Sequence, residues 1–387
     1  MMELIHLFLE QSWQVTFASP AEISEHMADL EAIGVKKKKI EVNSSEFDEF
    51  IVNTEPNIVL FDRFMMEEQF GWRVEKQCPS ALRIIEAIDL HLLRDARHQA
   101  LKQNRQVELD DLYSDIAKRE IAAIYRSDLS ILISEHEQQL LEEKFSIPGA
   151  LTHLCPFMFD ESNIVRPVPA FEERRHFITI GNFRHAPNWD SVLWLKSTIW
   201  PLIRKPLPDA ELHIYGSYPP KKATALDKPI DGFHIRGWTP DALEVMKQAR
   251  VCLAPLRFGA GIKGKIADAM LAGTPSVTTS IGAESMSAGL PWCGAIEDDP
   301  EAFADAAIKL YQDQKMWHQA EQNGFDIVRH LFNKEQNGKA LINRIHELLD
   351  NLESHRLQNF TGSMLRHHHH RSTEFMSRWI EAKNKIV

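Results

Sequence analysis

The stretch that could do chemistry is Ala254-Pro-Leu-Arg-Phe-Gly-Ala-Gly-Ile-Lys-Gly-Lys-Ile-Ala-Asp268. A short apolar run, Val251–Pro255, reads as a buried strand, and apolar spacing from Lys263 to Ala272 reads as a helix. Between them Gly259 and Gly261 lack the side chains that would block a ligand, and N–H groups at a helix start favour a phosphate. Lys263 and Lys265 add mobile positive charge, with Arg257 just upstream. Asp268 follows Lys265 by three positions, which places both on one helix face. Donors for a diphosphate beside a carboxylate for vicinal hydroxyls are what a nucleotide-linked sugar requires. The same spacing also fits a surface turn leading into a solvated helix face.

A second candidate pair is Asp89 and His91, directly after an expected strand at Leu82–Ile88. Polar groups at strand ends of an open sheet line its ligand cleft, although Asp89 would serve equally as the N-cap of a helix. The run His367–His370 has metal-ligand chemistry but sits on a charged terminus, where it reads as solvated sequence. Cys78, Cys155, Cys252 and Cys293 lie far apart without a Cys-x-x-Cys pair, which fits reduced core residues rather than a zinc site or a disulfide framework.

Short apolar runs alternate with stretches of helical period, the pattern of parallel α/β domains. Strands are expected at Gln14–Ser19, Lys39–Val42, Ile58–Phe61, Leu82–Ile88, Leu129–Ser134 and Leu151–Pro156. A second series covers His176–Gly181, Glu211–Tyr215, Gly232–Gly237, Val251–Pro255 and Pro275–Thr279, ending near Ile296. Two doubly wound domains follow, residues 1–165 and 166–353, with a break near Asp160–Arg175 and a polar, His-containing tail at 354–387. The first domain opens with a helical pattern at Met1–Gln11, so its opening strand and loop are missing, which leaves a parallel sheet short at a central position.

With 387 residues the chain exceeds the usual size of one core, and 44% apolar with 26% charged residues describes a folded protein. A net charge of −11 argues against a nucleic-acid binder. No apolar run is long enough to span a bilayer, and the start has no secretory pattern. A cytoplasmic location is therefore expected, with a peripheral contact at the inner face of the membrane left open.

The segment from Gly259 to Pro275 resembles the donor motif of glycosyltransferase family 4, in which a glycine-rich loop enters a helix ending Glu-Ala-Met-Ala-x-Gly-x-Pro; here it reads Asp268-Ala-Met-Leu-Ala-Gly-Thr-Pro275. The resemblance extends in order to Phe177–Asn188, Ala210–Ser217, Arg236–Asp241 and Thr279–Glu284. It implies a GT-B fold, two Rossmann-like domains facing a cleft, with the sugar-nucleotide donor held by the second. On that basis Gly181 and Asn182 would lie by the diphosphate, Gly216, Gly237 and Trp238 would border the base, and Asp268 would contact ribose hydroxyls. Trp238 could stack on a base or be an ordinary core residue. The first acid of the family's Glu-x7-Glu signature is absent, since Gly259 and Ala260 stand there, and Asn182 and Asn188 replace a usual arginine and lysine. The Gly-x-Gly-x-Lys-x-Lys loop points to a subgroup.

The resemblance further implies transfer with retention of anomeric configuration from a UDP- or GDP-linked sugar to a glycan or lipid-linked acceptor, in surface polysaccharide synthesis. It implies no cofactor and no metal, because Lys263, Lys265 and loop N–H groups would carry the leaving diphosphate. A histidine at His91 would meet the transferred sugar. A second reading is a non-catalytic sugar-nucleotide binder or assembly partner derived from such an enzyme. A GT-B epimerase would need several acids and histidines in the cleft, a set not evident here.

Overall fold

The computed structural model describes residues 1–22, 27–165 and 167–384. The side chains of His369 and His370, part of the histidine run, fall outside the described residues. The first lobe contains strands β1 (Thr16–Ser19), β2 (Lys36–Lys39), β3 (Ile58–Asp62), β4 (Leu82–Ala87), β5 (Leu129–Leu132) and β6 (Thr152–Leu154). The second contains β7 (His176–Ile180), β8 (Leu212–Tyr215), β9 (Phe233–Gly237), β10 (Ala249–Ala254), β11 (Ser276–Thr278) and β12 (Gly294–Ile296).

The second lobe is a six-stranded parallel sheet in the order β9-β8-β7-β10-β11-β12. The chain starts in the middle at β7, winds outward to β9, then returns beside β7 and winds the other way. The direction reverses between β7 and β10, the switch point outside whose carboxyl strand ends open sheets of this kind hold ligands in a crevice. Helices cover both faces, so Val251, Cys252, Leu253 and Ala254 of β10 are wholly buried, which is why the strand reads as an unbroken apolar run. Arg174 locks the incoming linker to this lobe: its buried guanidinium donates to the carbonyls of Pro169, Ala249 and Ala272 and to Thr274 Oγ1.

The first lobe is divided. Strands β3-β4-β5-β6 form one parallel sheet and β1-β2 a separate pair, with no strand joining β1 to β3 among the described residues. The helix Met2–Glu10 spans the gap. It sets Leu4 and Leu7 against Leu82, Ile84, Leu129 and Ile131, and Ile5 against Leu30 and Val35. Each such burial stabilises by roughly 1.5–3 kcal/mol. Strand β2 lies three residues earlier than the expected Lys39–Val42. Its four lysines face water along an edge, and pairing with β1 rather than side-chain apolarity fixes its place.

Two expectations for the end of the chain need correction. The helix Lys334–Asp350, expected in the second domain, packs Leu341, Ile342, Ile345 and Leu348 onto the first lobe with Leu4, Leu82 and Leu129. The region beyond His355 is not a free tail. Helices Leu352–Gln358 and Phe360–Asn384 return along the first lobe, held by Arg356 on Asp128 at 2.7 Å, Arg73 on Ser377 at 2.9 Å and Lys76 on Glu374 at 2.6 Å. Periodicity reveals an apolar face but not the lobe that covers it.

The chain thus passes between the lobes twice. The two crossings touch, with Phe159 N–H donating to the Phe332 carbonyl at 2.7 Å and Lys334 N–H to the Phe159 carbonyl at 3.1 Å. Among the described residues no helix is long and apolar enough to cross a membrane.

Candidate active site

The carboxyl ends of β7, β8 and β9 converge through glycines. Gly216 N–H donates to the Gly237 carbonyl at 2.7 Å, and a Cβ on Gly216 would meet the Gly181 carbonyl oxygen at 2.0 Å. A Cβ on Gly181 would in turn meet the Asn188 side chain at 2.6 Å. These turns can pass so closely only without side chains. Gly237 turns with φ at 75°, and Trp238 beyond it is 50% exposed, so it is not a core tryptophan. Asn182 is engaged in its own turn, its side chain accepting from Arg184 N–H and its carbonyl from Asn188 Nδ2.

Across the switch point, β10 feeds the loop Gly259–Lys263 and the helix Gly264–Leu271. Lys265 Nζ donates to Asn188 Oδ1 at 2.9 Å, which ties the helix start to the turn after β7. The Lys263 ammonium is folded back onto the carbonyls of Ala260 and Gly261. Burial lowers both lysines to about 8, so each holds its proton less firmly than a surface lysine. Burial raises Asp268 to about 6, with the carboxylates Glu3 and Asp241 adding to the effect. No ion pair links Asp268 to Lys265 among the described residues.

The first lobe presses on this loop. Gly261, at φ 65°, has no room for a Cβ, which would meet the Ile88 carbonyl at 2.7 Å and Asp89 Cβ at 3.0 Å. Arg97 donates to the Gly259 carbonyl at 2.8 Å and grips Glu284 with both terminal nitrogens at 2.7 and 2.9 Å. His98 stacks on Phe258 at 4.3 Å. Glu137 Oε1 accepts from Gly261 N–H at 2.7 Å and from Leu90 N–H at 3.1 Å, while its Oε2 is buried without a hydrogen-bond partner. Burial pushes this carboxyl up to about 7, against the two N–H donors; nearby Asp89 adds to the rise. A cleft of about 340 Å³ adjoins the contact, walled by Glu135, His136 and Gln139 on one side and Glu284 and Ser285 on the other.

The fold therefore brings together Gly181, Asn182, Gly216, Gly237, Gly259, Gly261, Lys263, Lys265 and Asp89. Two expected residues are engaged by other side chains. Arg257 pairs with Asp190 at 2.5 and 2.9 Å on the helix after β7 instead of turning to the loop. His91 starts the helix His91–Lys102, where Glu120 accepts its N–H and lies 3.3 Å from its ring, and the ring packs edge-on to Phe64. These partners all belong to the first lobe. The imidazole beside the lysines is His185: removal from water, with Arg94, Lys265 and Lys263 around it, lowers its pKa, opposed by Asp89. Glu137, Arg97 and His185 were not singled out from sequence. The signal for Glu137 was its place in the first turn of the helix that follows β5, Glu135–Phe145.

Two lysines at a helix start beside glycine turns are chemistry that suits a phosphorylated ligand. Residues 174–313 match the family model of glycosyl transferases group 1. That match covers the sheet and both lysines. No curated protein matches the chain in sequence. Among solved structures, a glycosyltransferase from Rickettsia africae has a TM-score of 0.66 at 12% identity over 90% of this chain and 94% of its own. Anabaena HepE, in complex with UDP and glucose, has a TM-score of 0.66 at 13% identity over 89% of this chain and 95% of its own. S. aureus TarM, as a mutant in complex with fondaparinux, alpha-GlcNAc-glycerol and UDP, has a TM-score of 0.61 at 12% identity over 77% of this chain. The chain spans 58% of that TarM chain. The fold is GT-B.

Proposed function

We propose that the chain is a glycosyltransferase that takes a sugar from a UDP- or GDP-linked donor and places it on a hydroxyl of a glycan or lipid-linked acceptor, with retention of anomeric configuration. The observation that carries this reading is the placing of Lys263 and Lys265 at a helix start on the switch point, after a loop whose Gly261 abuts Asp89. The family match over 174–313 and the UDP held by HepE and TarM support it. The enzyme belongs to a subgroup of family 4 with a Gly-x-Gly-x-Lys-x-Lys loop and acts in surface polysaccharide synthesis.

In this proposal the bond between the anomeric carbon and the diphosphate oxygen breaks while the acceptor oxygen bonds to that carbon on the same face and passes its proton to the departing diphosphate. Lys265, Lys263 and the loop N–H groups stabilise the charge gathering on the departing diphosphate. Two ammonium groups and a helix start suffice for this, so the chemistry needs no metal. Asp268 accepts from the ribose hydroxyls, and Trp238 is exposed enough to stack on the base. Donor phosphate takes over the Gly261 N–H from Glu137 and draws Lys263 off the loop carbonyls, so loading requires the lobes to shift.

Thermal-shift measurement across UDP-, GDP- and ADP-sugars tests the donor site, because specific binding raises the melting point by mass action. One nucleotide class should raise it, and NMR of the product should show the donor's anomeric configuration kept. Failure of all three classes removes the reading. Binding without cleavage or transfer would leave a sugar-nucleotide binder instead.

A further inference from the structure

At the opposite end of the second lobe from the crevice, three adjacent strands carry a histidine at their start: His176 is the first residue of β7, and His213 and His234 are the second residues of β8 and β9. His213 and His234 are direct cross-strand partners, and Glu211 stands two residues before His213. The rings are close: His213 lies edge-on to His234 at 5.2 Å and stacks on His176 at 4.0 Å. Glu211 turns one carboxylate oxygen to His213 Nε2 at 2.8 Å and the other toward His234 Nε2 at 3.8 Å. Both histidine side chains are nearly covered, 12% and 13% exposed.

Hydrogen bonds account for His213 but not for its two neighbours. The Nε2 atoms of His234 and His176 are buried with no hydrogen-bond partner among the described residues. Orphaned polar atoms of this kind call for an explanation, and an ion is one. We propose that Glu211, His213 and His234 form a binding site for a divalent transition metal of the zinc class, which braces β8 against β9.

The donor set supports the choice. Two imidazoles and a carboxylate are the ligands of borderline metals such as zinc, whereas magnesium and calcium favour all-oxygen sites. One ligand atom from each residue falls within 4.8 Å of the other two. Zinc–ligand bonds of about 2.0–2.2 Å would draw them to roughly 3.5 Å apart, a movement side-chain rotation supplies. Metal replaces the hydrogen bond between His213 and Glu211, so the His213 ring carries its proton on Nδ1. Solvent would complete the tetrahedron on the side of Glu211, which is half exposed. His176 lies flat against His213 and therefore supports that ring instead of ligating. The Arg236 guanidinium, 3.1 Å from His213 Nε2, is the one cation in contact among the described residues, and as an exposed side chain it is able to swing aside.

The test must silence the histidine run near the end of the chain, whose imidazoles would compete for the ion. In full-length protein with His367, His368, His369 and His370 all replaced by alanine, zinc titration by calorimetry should give one ion per chain, and excess zinc should raise the melting point. Cobalt in place of zinc should give the visible absorption of a four-coordinate site. Adding His213→Ala and His234→Ala should abolish both signals, and Glu211→Gln, at an exposed position, should weaken binding at least tenfold while leaving the fold intact. Absence of stoichiometric binding in the tail-substituted protein overturns the proposal, as does binding undiminished by Glu211→Gln. Neither result bears on donor binding, which is measured at the other end of the sheet.

Discussion

Glu137 of the first lobe accepts a 2.7 Å hydrogen bond from the Gly261 N–H of the second. A carboxylate thus reaches the glycine loop even though the loop's own sequence supplies none, and it does so from the facing lobe. The contact is buried and its second oxygen is unpartnered, so its strength depends on the protonation state.

That dependence gives a pH prediction. Because burial raises Glu137 to about 7, the folded protein holds this proton more firmly than the unfolded chain does. The associated stability is complete below the ordinary glutamate value and is lost as pH rises through about 7. Glu137→Gln keeps an acceptor for both N–H groups and carries no charge. Melting points from pH 5 to 8 should therefore fall less steeply for the variant than for the native chain. Asp268 slopes the same way in part of this range but is common to both proteins. Parallel curves would show that Glu137 does not titrate there.

Lys265→Ala removes the ammonium bonded to Asn188 and, on the proposed function, a diphosphate contact. Donor affinity should drop about 10- to 100-fold, roughly 1.4–2.7 kcal/mol. Asn188→Ala leaves the charge but frees its position, so it should weaken binding less. Equal losses in calorimetry would assign the role to the tether rather than the charge.

At Gly216 an added methyl group would overlap the Gly181 carbonyl oxygen. Gly216→Ala should cost about 1–3 kcal/mol in urea unfolding. Gly237→Ala meets no atom within 4 Å and is strained only by its positive φ, so about 1–2 kcal/mol is expected. A neutral Gly216→Ala would mean the two turns separate readily in solution.

Arg356 neutralises the buried Asp128, donating to both of its oxygens at 2.7 and 2.8 Å. Burial alone would raise the Asp128 pKa, but Arg356 and Arg83 outweigh it and hold the group below its usual value. Arg356→Ala should cost about 1–3 kcal/mol and loosen the last two helices. Limited proteolysis would then release fragments near residue 355; resistance equal to that of the native chain would place their anchorage elsewhere.

Most of the second lobe was legible because a sheet covered on both faces writes itself as separated apolar runs, as at Val251–Ala254. The loop at Gly259–Lys265 was legible for a different reason, since glycine and lysine have few competing roles at a strand-to-helix turn. Contacts made between distant segments were not. Arg257 looked available for a phosphate until folding brought Asp190 beside it, and His91 until Glu120 and Phe64 enclosed it. Glu137 was overlooked because its significance lies in the Gly261 it meets, more than a hundred residues away. The same holds for the closing helices, whose polar composition conceals that Gly362 nestles against the Tyr125 carbonyl.

The paired crossings at Phe159 and Phe332–Lys334 restrict how the molecule can move. Two bodies joined by a pair of hydrogen-bonded crossings are restrained from sliding apart, and rotation about those crossings, like a book on its spine, is the movement the connection leaves open. The spine lies at the aromatic group of Phe157, Phe159 and Phe332, whereas Arg97, Glu137 and Glu284 meet at the page edges. A small rotation there would become a wide gap at the glycine loop, and the contacts of Arg97, His98 and Glu137 with the second lobe would be the first to part.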